Sequence, residues 1–215
     1  MPQPTLYTER MVLLPLTDEH LELEVELDAD PEVLRYIDGR ARTPEEVAEY
    51  HARRMELGRR VDGLGYWVAA ERTGEFAGVM MLPPAERPGE AELGYRLPRR
   101  QWGRGLAAEA AAELLRHGFT TAGQERIIAQ TMTVNAGSRR VMEKCGLRHV
   151  RTFFPDYPPI PGSDEGEVEY AITRAEWRAR ALGAGSPPRL DLLEDYVSAR
   201  VRRREATDDD DRTGA

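Results

Sequence analysis

The chain has 215 residues, of which 40% are hydrophobic and 32% are charged, a balance that argues against disordered and fibrous classes and allows one substantial α/β domain. Its formal net charge of −8 argues against a broad nucleic-acid-binding surface, because phosphate binding needs a basic footprint, and it suits a cationic substrate. The sequence has no long apolar run, no signal-peptide layout and only one cysteine, Cys145, so we expect no membrane contact, no disulfide and a cytoplasmic location.

The first half of the chain predicts one strand, three helices and a hairpin. In chain order these are a strand over residues 6–16, a helix to about 27, a short helix over 31–37, a helix over 43–57, and hairpin strands over 66–70 and 76–82. Pro31 opens the short helix, and Thr43-Pro44-Glu45-Glu46 is a capping box. Gly74 lies in the predicted hairpin turn, where glycine is favoured.

The second half predicts the elements around the most informative motif. In chain order these are a strand over residues 91–97, a helix over 104–120, a strand over 126–133, a short helix over 138–144, strands over 147–154 and 167–173, and a helix to about 182. Pro98 closes the first of these strands, Gly146 stops the short helix, and a capping box at Thr173 begins the last helix. This order predicts the α/β (α+β) class, with a mixed sheet and helices on its faces.

The C-terminal part has a different composition. Residues 183–188 are typical of a linker, and residues 208–211 begin an acidic tail that resembles disordered segments. Between them, apolar side chains recur at helical spacing: Leu190, Leu193, Val197 and Val201. We therefore predict a domain over residues 6–180 and a linker, amphipathic helix and tail over 183–215. The pattern leaves open whether this helix docks on its own domain, pairs with another subunit or stays loosely attached.

Residues 90–109 join a strand, a glycine-bearing turn and the start of a helix. Gly103 and Gly105 have no Cβ, so the backbone there approaches a bulky anion closely. The N–H groups at a helix N-terminus are unpaired and partly positive, which favours an anion such as a diphosphate. A Gly-x-Gly pair alone also occurs in plain turns, and the segment does not match the dinucleotide fingerprint, whose strand pattern is missing here.

In its context this segment resembles the GNAT superfamily of acetyltransferases, and most of all the subgroup of ribosomal-protein alanine N-acetyltransferases. The matching stretches are R-Q-W-G-R-G at 100–105 for the diphosphate motif R/Q-x-x-G-x-G/A, G-Y at 94–95, W-G-R-G-L-A-A-E-A at 102–110, N-x-x-S-x-x-x-x-E-K-x-G at 135–146, T-x-R at 8–10 and the closing run 170–177. The resemblance covers roughly residues 6–180.

This resemblance implies the GNAT fold, a mixed, mostly antiparallel twisted sheet with splayed central strands and helices on both faces. It also implies acetyl-CoA as co-substrate, bound in the cleft between the strands over 91–97 and 126–133. The residues it assigns to the cofactor are the backbone of Tyr95, Arg96 and Leu97 for the pantetheine arm, Arg100, Gly103, Arg104, Gly105, Leu106 and Ala107 for the diphosphate, Asn135 for the arm, and Arg140 for the adenosine phosphates.

Two catalytic residues follow from the same resemblance. Glu92 occupies the position of a general base, acting directly or through water, although a solvent-facing strand glutamate has the same pattern. Ser138 matches the serine that protonates the leaving thiolate, but a serine here is also a plausible helix cap. We interpret Cys145 as a structural thiol. The four histidines lack metal-ligand spacing, so we expect no metal site.

The resemblance therefore predicts an N-acetyltransferase in which a primary amine, on a protein N-terminus or a small molecule, attacks acetyl-CoA directly. The alternatives are an antibiotic-modifying enzyme of the aminoglycoside type, a non-catalytic acyl-CoA sensor, and a plain α/β domain with chance matches. Acceptor specificity is expected from residues 28–65 and 155–166. Candidate lining residues are Tyr36, Asp156, Tyr157, Asp164 and Glu165. The subgroup often dimerises, which makes a homodimer an expectation.

Overall fold

The computed structural model describes residues 3–183 of the chain. The predicted amphipathic helix and acidic tail, with nearly all of the linker, lie outside the described residues. Met1–Arg174 forms one compact unit, which contains both sheets and the candidate site. None of the helices in the described range is long and apolar enough to cross a membrane.

Within residues 3–183 the chain forms nine strands and five α-helices. They are β1 (Leu6–Tyr7), β2 (Met11–Pro15), α1 (Leu21–Asp28), α2 (Pro44–Leu57), β3 (Gly65–Glu71), β4 (Phe76–Leu82), β5 (Glu90–Glu92), β6 (Gly94–Arg96), α3 (Leu106–Thr120), β7 (Arg126–Met132), α4 (Ala136–Cys145), β8 (Arg148–Phe153), β9 (Glu167–Thr173) and α5 (Arg174–Gly183). Short 3₁₀ turns precede α1, α3 and β9.

Local signals placed most of these elements correctly. The Thr43 side chain accepts a hydrogen bond from the Glu46 backbone N–H, and the Glu46 carboxylate accepts one from the Thr43 N–H, so α2 begins at the predicted capping box. The short helix predicted over residues 31–37 is wrong, because this stretch forms turns. There the Asp30 carboxylate accepts the Glu32 N–H at 2.9 Å, and such side-chain bonds compete with helix formation.

The strands form two sheets that share one segment of chain. The first has the order β1-β2-β3-β4-β6 and is antiparallel throughout. The second has the order β5-β7-β9-β8, in which β5 and β7 are parallel and the other pairs antiparallel. Because β5 and β6 follow each other at once in the chain, this short segment passes from one sheet to the other.

The change of sheet occurs at Leu93. The Glu92 N–H donates to the Pro83 carbonyl at 2.9 Å, and the Leu93 N–H donates to the Ile128 carbonyl of β7 at 2.7 Å. Beyond Leu93 the chain pairs with β4 instead of β7. The single strand predicted over residues 91–97 is therefore two strands, and β6 and β7 diverge to leave a cleft.

One face of the first sheet is covered by α1 and α2. Val79 of β4 packs in a core cluster that includes Leu27 of α1 and is flanked by Met55 of α2. Arg96 lies directly opposite Val79, and cross-strand partners project to the same side of a sheet. The side chain of Arg96 consequently lies on the α1–α2 face.

The other face is covered by α3. Tyr95 lies opposite Met80, which lies opposite Trp67, and the Trp67 ring meets His117 of α3 edge-on at 5.9 Å. Since side chains alternate along a strand, Tyr95 projects to the side opposite Arg96. The short segment through Leu93 thus presents side chains to both layers of helices.

A buried ion cluster joins the α1–α2 layer to β6. Arg96 and Asp28 are both almost fully buried and pair at 2.7 Å, and Asp28 also pairs with Arg42 at 3.0 Å. Arg42 in turn binds Asp38. Burial lowers the pKa of Arg96 to about 10, with Arg54 adding to the effect and Asp28 opposing it. Glu24, His51 and Arg54 complete the cluster.

Candidate active site

The cleft exposes backbone groups of the segment that changes sheet. A Cβ on Gly78 would collide with the carbonyl oxygen of Arg96, so that carbonyl points at β4. Backbone groups alternate along a strand, so those of Tyr95 and Leu97 face the cleft. Arg96, predicted to offer its backbone to the cofactor arm, faces β4 instead, and its side chain lies in the ion cluster.

The edge of the cleft is partly closed by an aromatic side chain. The Trp102 indole N–H donates to the Leu97 carbonyl at 2.7 Å, while about half of the Trp102 side chain stays exposed. Because the Leu97 carbonyl is occupied, the predicted backbone groups that still face the gap towards β7 are the N–H and carbonyl of Tyr95 and the N–H of Leu97.

The predicted diphosphate loop has the geometry that its glycines suggest. Gly103 has φ 74° and Gly105 has φ 80°, both in the left-handed region that side chains disfavour. Gly105 is the N-cap of α3, which begins at Leu106. The first N–H groups of α3, from Leu106 and Ala107 onward, have no intrahelical acceptor and form an anion-binding terminus.

The two arginines predicted beside this loop are engaged by carboxylates. Arg104 forms two hydrogen bonds with Glu71 at 2.7 and 2.9 Å, and Arg100 pairs with Glu75 at 3.1 Å and with Glu26 at 3.5 Å. Both side chains therefore hold the loop to its neighbours. Arg140, predicted to reach the adenosine phosphates, is exposed on α4.

A second set of contacts also holds the loop. These contacts were not predicted from the sequence, although its motifs contained the residues that make them. The Glu109 carboxylate accepts hydrogen bonds from the Thr8 hydroxyl at 2.6 Å and from the Arg10 side chain at 2.6 Å. Arg10 also donates to the Arg104 carbonyl at 2.9 Å. The T-x-R opening and the glutamate of the glycine motif are thus partners that fix the first turn of α3.

Glu92 lies on the side of the cleft opposite α3 and α4. It pairs in register with Ile128 of β7, which faces Ala171 of β9, so Glu92 shares a sheet face with Glu167 and Glu169. Burial raises the pKa of the Glu92 carboxyl, and the neighbouring carboxylates Glu167 and Glu169 raise it further. A pKa raised towards the working pH suits a general base.

Ser138 lies on the α3–α4 side and is not the helix cap. Asn135 is the N-cap of α4, and its side-chain oxygen accepts the Ser138 N–H at 3.1 Å. The Asn135 amide also donates to Thr131 of β7 at 3.0 Å, so both ends of this side chain contact protein. The Ser138 hydroxyl lies 3.1 Å from the Tyr95 hydroxyl.

The mouth of the cleft is bordered by two loops. The segment between α1 and α2 meets the β8–β9 loop where a Cβ on Gly39 would lie 3.0 Å from Ile160. The Tyr157 hydroxyl donates to Glu167 at 2.6 Å, which places one of the predicted lining residues beside the cleft. Asp156, Asp164 and Glu165 are exposed, and Tyr36 is half-buried in a turn.

No group of three or more His, Cys, Asp or Glu side chains suited to a metal ion occurs in the described range. Cys145 is partly buried, and its thiol lies 3.5 Å from the Ala108 carbonyl.

Comparisons with known proteins agree on one family. Residues 10–148 match the model of the acetyltransferase (GNAT) domain. A protein of Aspergillus fumigatus, named FsC-acetyl coenzyme A-N(2)-transacetylase, is 43% identical over 185 residues, covering 81% of this chain and 78% of that protein.

Solved structures show the same fold. A GNAT-family acetyltransferase from Bacillus anthracis has a TM-score of 0.68 and 25% identity, covering 80% of this chain and all of its own. RimJ of Mycobacterium smegmatis, solved with a CoA-disulfide, has a TM-score of 0.68 and 22% identity over 85% of this chain and 95% of its own. The predicted fold class is confirmed, and the ribosomal-protein subgroup stays a prediction.

Substitution of Gly105 tests the diphosphate loop. We expect Gly105→Glu to weaken CoA binding by about 100-fold or more, because it adds negative charge beside the phosphates and strains a backbone at positive φ. Gly74→Glu is the matched control, since Gly74 has φ 91° in the β3–β4 turn with no atom within 4 Å of its Cβ position. Calorimetric titration with CoA compares them, and equal affinities would reject the loop assignment.

The pH dependence of turnover tests Glu92. A base acts only when deprotonated, so kcat/KM should fall as the pH falls through the raised pKa of Glu92. We expect Glu92→Gln to remove this acid limb and to lower kcat on the order of 100-fold with CoA affinity retained. Glu90→Gln is the control, because Glu90 shares the strand but pairs with Arg126. An unchanged acid limb in Glu92→Gln would remove Glu92 from this role.

Proposed function

Because this chain belongs to the acetyltransferase (GNAT) family and is an N-acetyltransferase that uses acetyl-CoA, we propose that its acceptor is a primary amine of an FsC-like compound. The observation that supports this acceptor is the 43% identity to the Aspergillus fumigatus enzyme, whose name places the acetyl group on an N(2) nitrogen of FsC. The family confirms the prediction that the chain is an enzyme. This result argues against the alternative of a non-catalytic acyl-CoA sensor.

The thioester binds in the cleft between β6 and β7. Donors that face this gap, the N–H groups of Tyr95 and Leu97, are placed to stabilise the oxyanion of a tetrahedral intermediate. One such donor contributes roughly 3–4 kcal/mol in a well-studied protease. The diphosphate lies at the N-terminus of α3. The Arg10–Glu109 and Arg104–Glu71 pairs hold this terminus and the loop before it in position.

The base and the acid approach from opposite faces of the segment through Leu93. Glu92 lies on the face of the second sheet that also carries Glu167 and Glu169, here called the open face. It takes a proton from the acceptor ammonium, directly or through water. The free amine attacks the thioester carbon, the C–S bond breaks, and the thiolate leaves with the electron pair. Ser138, on the α4 side, gives its proton to that thiolate and regains one through water, while the attacking nitrogen loses its second proton to water as the amide forms. This arrangement requires no covalent acetyl-enzyme.

The open face favours a cationic acceptor. Glu169 is balanced by Arg126 at 3.0 Å and Arg151 at 2.8 Å. Among residues 3–183, by contrast, neither Glu92 nor Glu167 pairs with a cation. These two carboxylates attract an ammonium group in solution and align it before deprotonation. A protein N-terminus, as in the ribosomal-protein subgroup whose serine motif this chain resembles, is the second candidate.

A panel of acceptors tests the proposed function. Acetyl-CoA is titrated by calorimetry, and thiol release is then followed with FsC, with peptides bearing a free N-terminus and with an aminoglycoside. We expect binding of acetyl-CoA and a kcat/KM for FsC at least about tenfold above the other amines, a difference of about 1.4 kcal/mol. A preference for the peptides would replace the FsC-like acceptor with a protein N-terminus, and binding without turnover on any amine would contradict the proposal.

Glu167 tests how the acceptor is held. We expect Glu167→Gln to raise the KM of a cationic acceptor by about tenfold with kcat nearly unchanged, because a charge-assisted hydrogen bond to the ammonium is lost before the chemical step. Glu165→Gln is the control, since Glu165 is two residues away and exposed. A lower kcat at unchanged KM would show that Glu167 acts on the chemical step instead.

A further inference from the structure

A chain of polar side chains crosses the floor of the cleft. Thr131 lies on β7, and its hydroxyl accepts the Asn135 amide at 3.0 Å. Asn135 accepts the Ser138 N–H at 3.1 Å. Ser138 meets the Tyr95 hydroxyl on β6 through its own hydroxyl at 3.1 Å and through its carbonyl at 3.0 Å. The first turn of α4 is therefore hydrogen-bonded to both strands that form the cleft.

Tyr95 occupies a particular place in this chain. Its backbone faces the cleft, where the thioester binds, and its side chain projects to the α3–α4 face. Burial raises the pKa of the Tyr95 phenol, while the hydrogen bond with Ser138 opposes that rise. The phenol thus keeps its proton throughout the range in which an N-acetyltransferase works, and it remains a hydrogen-bond donor.

We propose that Tyr95 is a positioning residue, which orients the Ser138 hydroxyl towards the leaving thiolate and, with Asn135 and Thr131, holds α4 at a fixed distance from both cleft strands. This inference rests on the proposed role of Ser138 as the acid. A serine hydroxyl rotates freely unless a neighbour fixes it. The Tyr95 phenol donates its single proton to the Ser138 carbonyl at 3.0 Å, and its oxygen lies 3.1 Å from the Ser138 hydroxyl, which fixes the position of that hydroxyl. The Ser138 proton turns from the phenol oxygen to the sulfur when the thiolate leaves.

The chain also offers a matched control for this role. Tyr170 of β9 is buried on the same face, and its hydroxyl donates to Glu143 of α4 at 2.9 Å. It therefore contacts α4 as Tyr95 does, but its partner is five residues from the proposed acid: Glu143 lies in the last turns of α4, whereas Ser138 lies in the first. Arg139 of α4 also donates to the Tyr170 hydroxyl at 3.3 Å. Loss of either hydroxyl therefore removes two contacts with the helix, and only those of Tyr95 involve Ser138.

A double-mutant cycle tests the inference. We expect Tyr95→Phe to lower kcat by about tenfold or more with CoA affinity within about twofold, and to cause no further loss when Ser138 is already alanine, because both changes remove one aligned donor. Tyr170→Phe should keep kcat. The readouts are kcat, the CoA dissociation constant, the solvent deuterium isotope effect on kcat, which should change in Tyr95→Phe, and the melting temperature.

The possible outcomes separate the inference from the proposed function. A slow Ser138→Ala beside a normal Tyr95→Phe would overturn the positioning role and leave Ser138 as the acid. A normal Ser138→Ala would overturn both. Losses in Tyr95→Phe and Ser138→Ala that add fully, or an equal loss in Tyr170→Phe, would show a structural effect. Should Tyr95→Phe fail to fold, Thr131→Val removes the far end of the chain, and we expect a lower kcat that Thr131→Ser restores.

Discussion

The active site depends on one constraint, which is that residues 90–96 cannot stay paired with both neighbouring strands. At Leu93 the backbone leaves β7 and continues along β4, and the groups that lose a partner face the gap. Buried backbone N–H and C=O groups require hydrogen-bond partners, and the extended arm of a CoA thioester supplies them as a strand would. The proposed binding mode of the co-substrate therefore depends on the pairing of a short segment of chain.

The same segment separates the two residues to which we assign the proton transfers. Successive side chains of a strand project to opposite faces, so Glu92 and Arg96 lie on one face and Tyr95 on the other. In the proposed mechanism the amine therefore gives its proton to Glu92 on one side of the cleft, and the thiolate receives a proton from Ser138 on the other. The ion cluster around Arg96 supports the first side, and the hydroxyl of Tyr95 contacts Ser138 on the second.

The sequence predicted the elements whose signals are local. The capping box at Thr43, the Gly74 turn and the glycines before α3 each depend on neighbouring residues, and all were placed correctly. The break at Leu93 was not predicted, because it arises from competition between β4 and β7 for one backbone. The Glu109–Arg10 pair joins residues that are 99 positions apart, so its two motifs were recognised without their contact. For Ser138, a hydroxyl at the start of a helix does not reveal that the cap is Asn135.

The segments that border the mouth of the cleft come from different parts of the chain than the proposed diphosphate loop. The segments between α1 and α2 and between β8 and β9 meet near Gly39 and Ile160, while the diphosphate loop and α4 lie on the other layer. Asp38 is bound to Arg42, and Arg42 to Asp28, which also pairs with Arg96 on β6. The segment between α1 and α2 is thus anchored to β6 through buried charges. We therefore expect substitutions of exposed side chains at the mouth to change the amine that is accepted while leaving the buried charges beneath it in place.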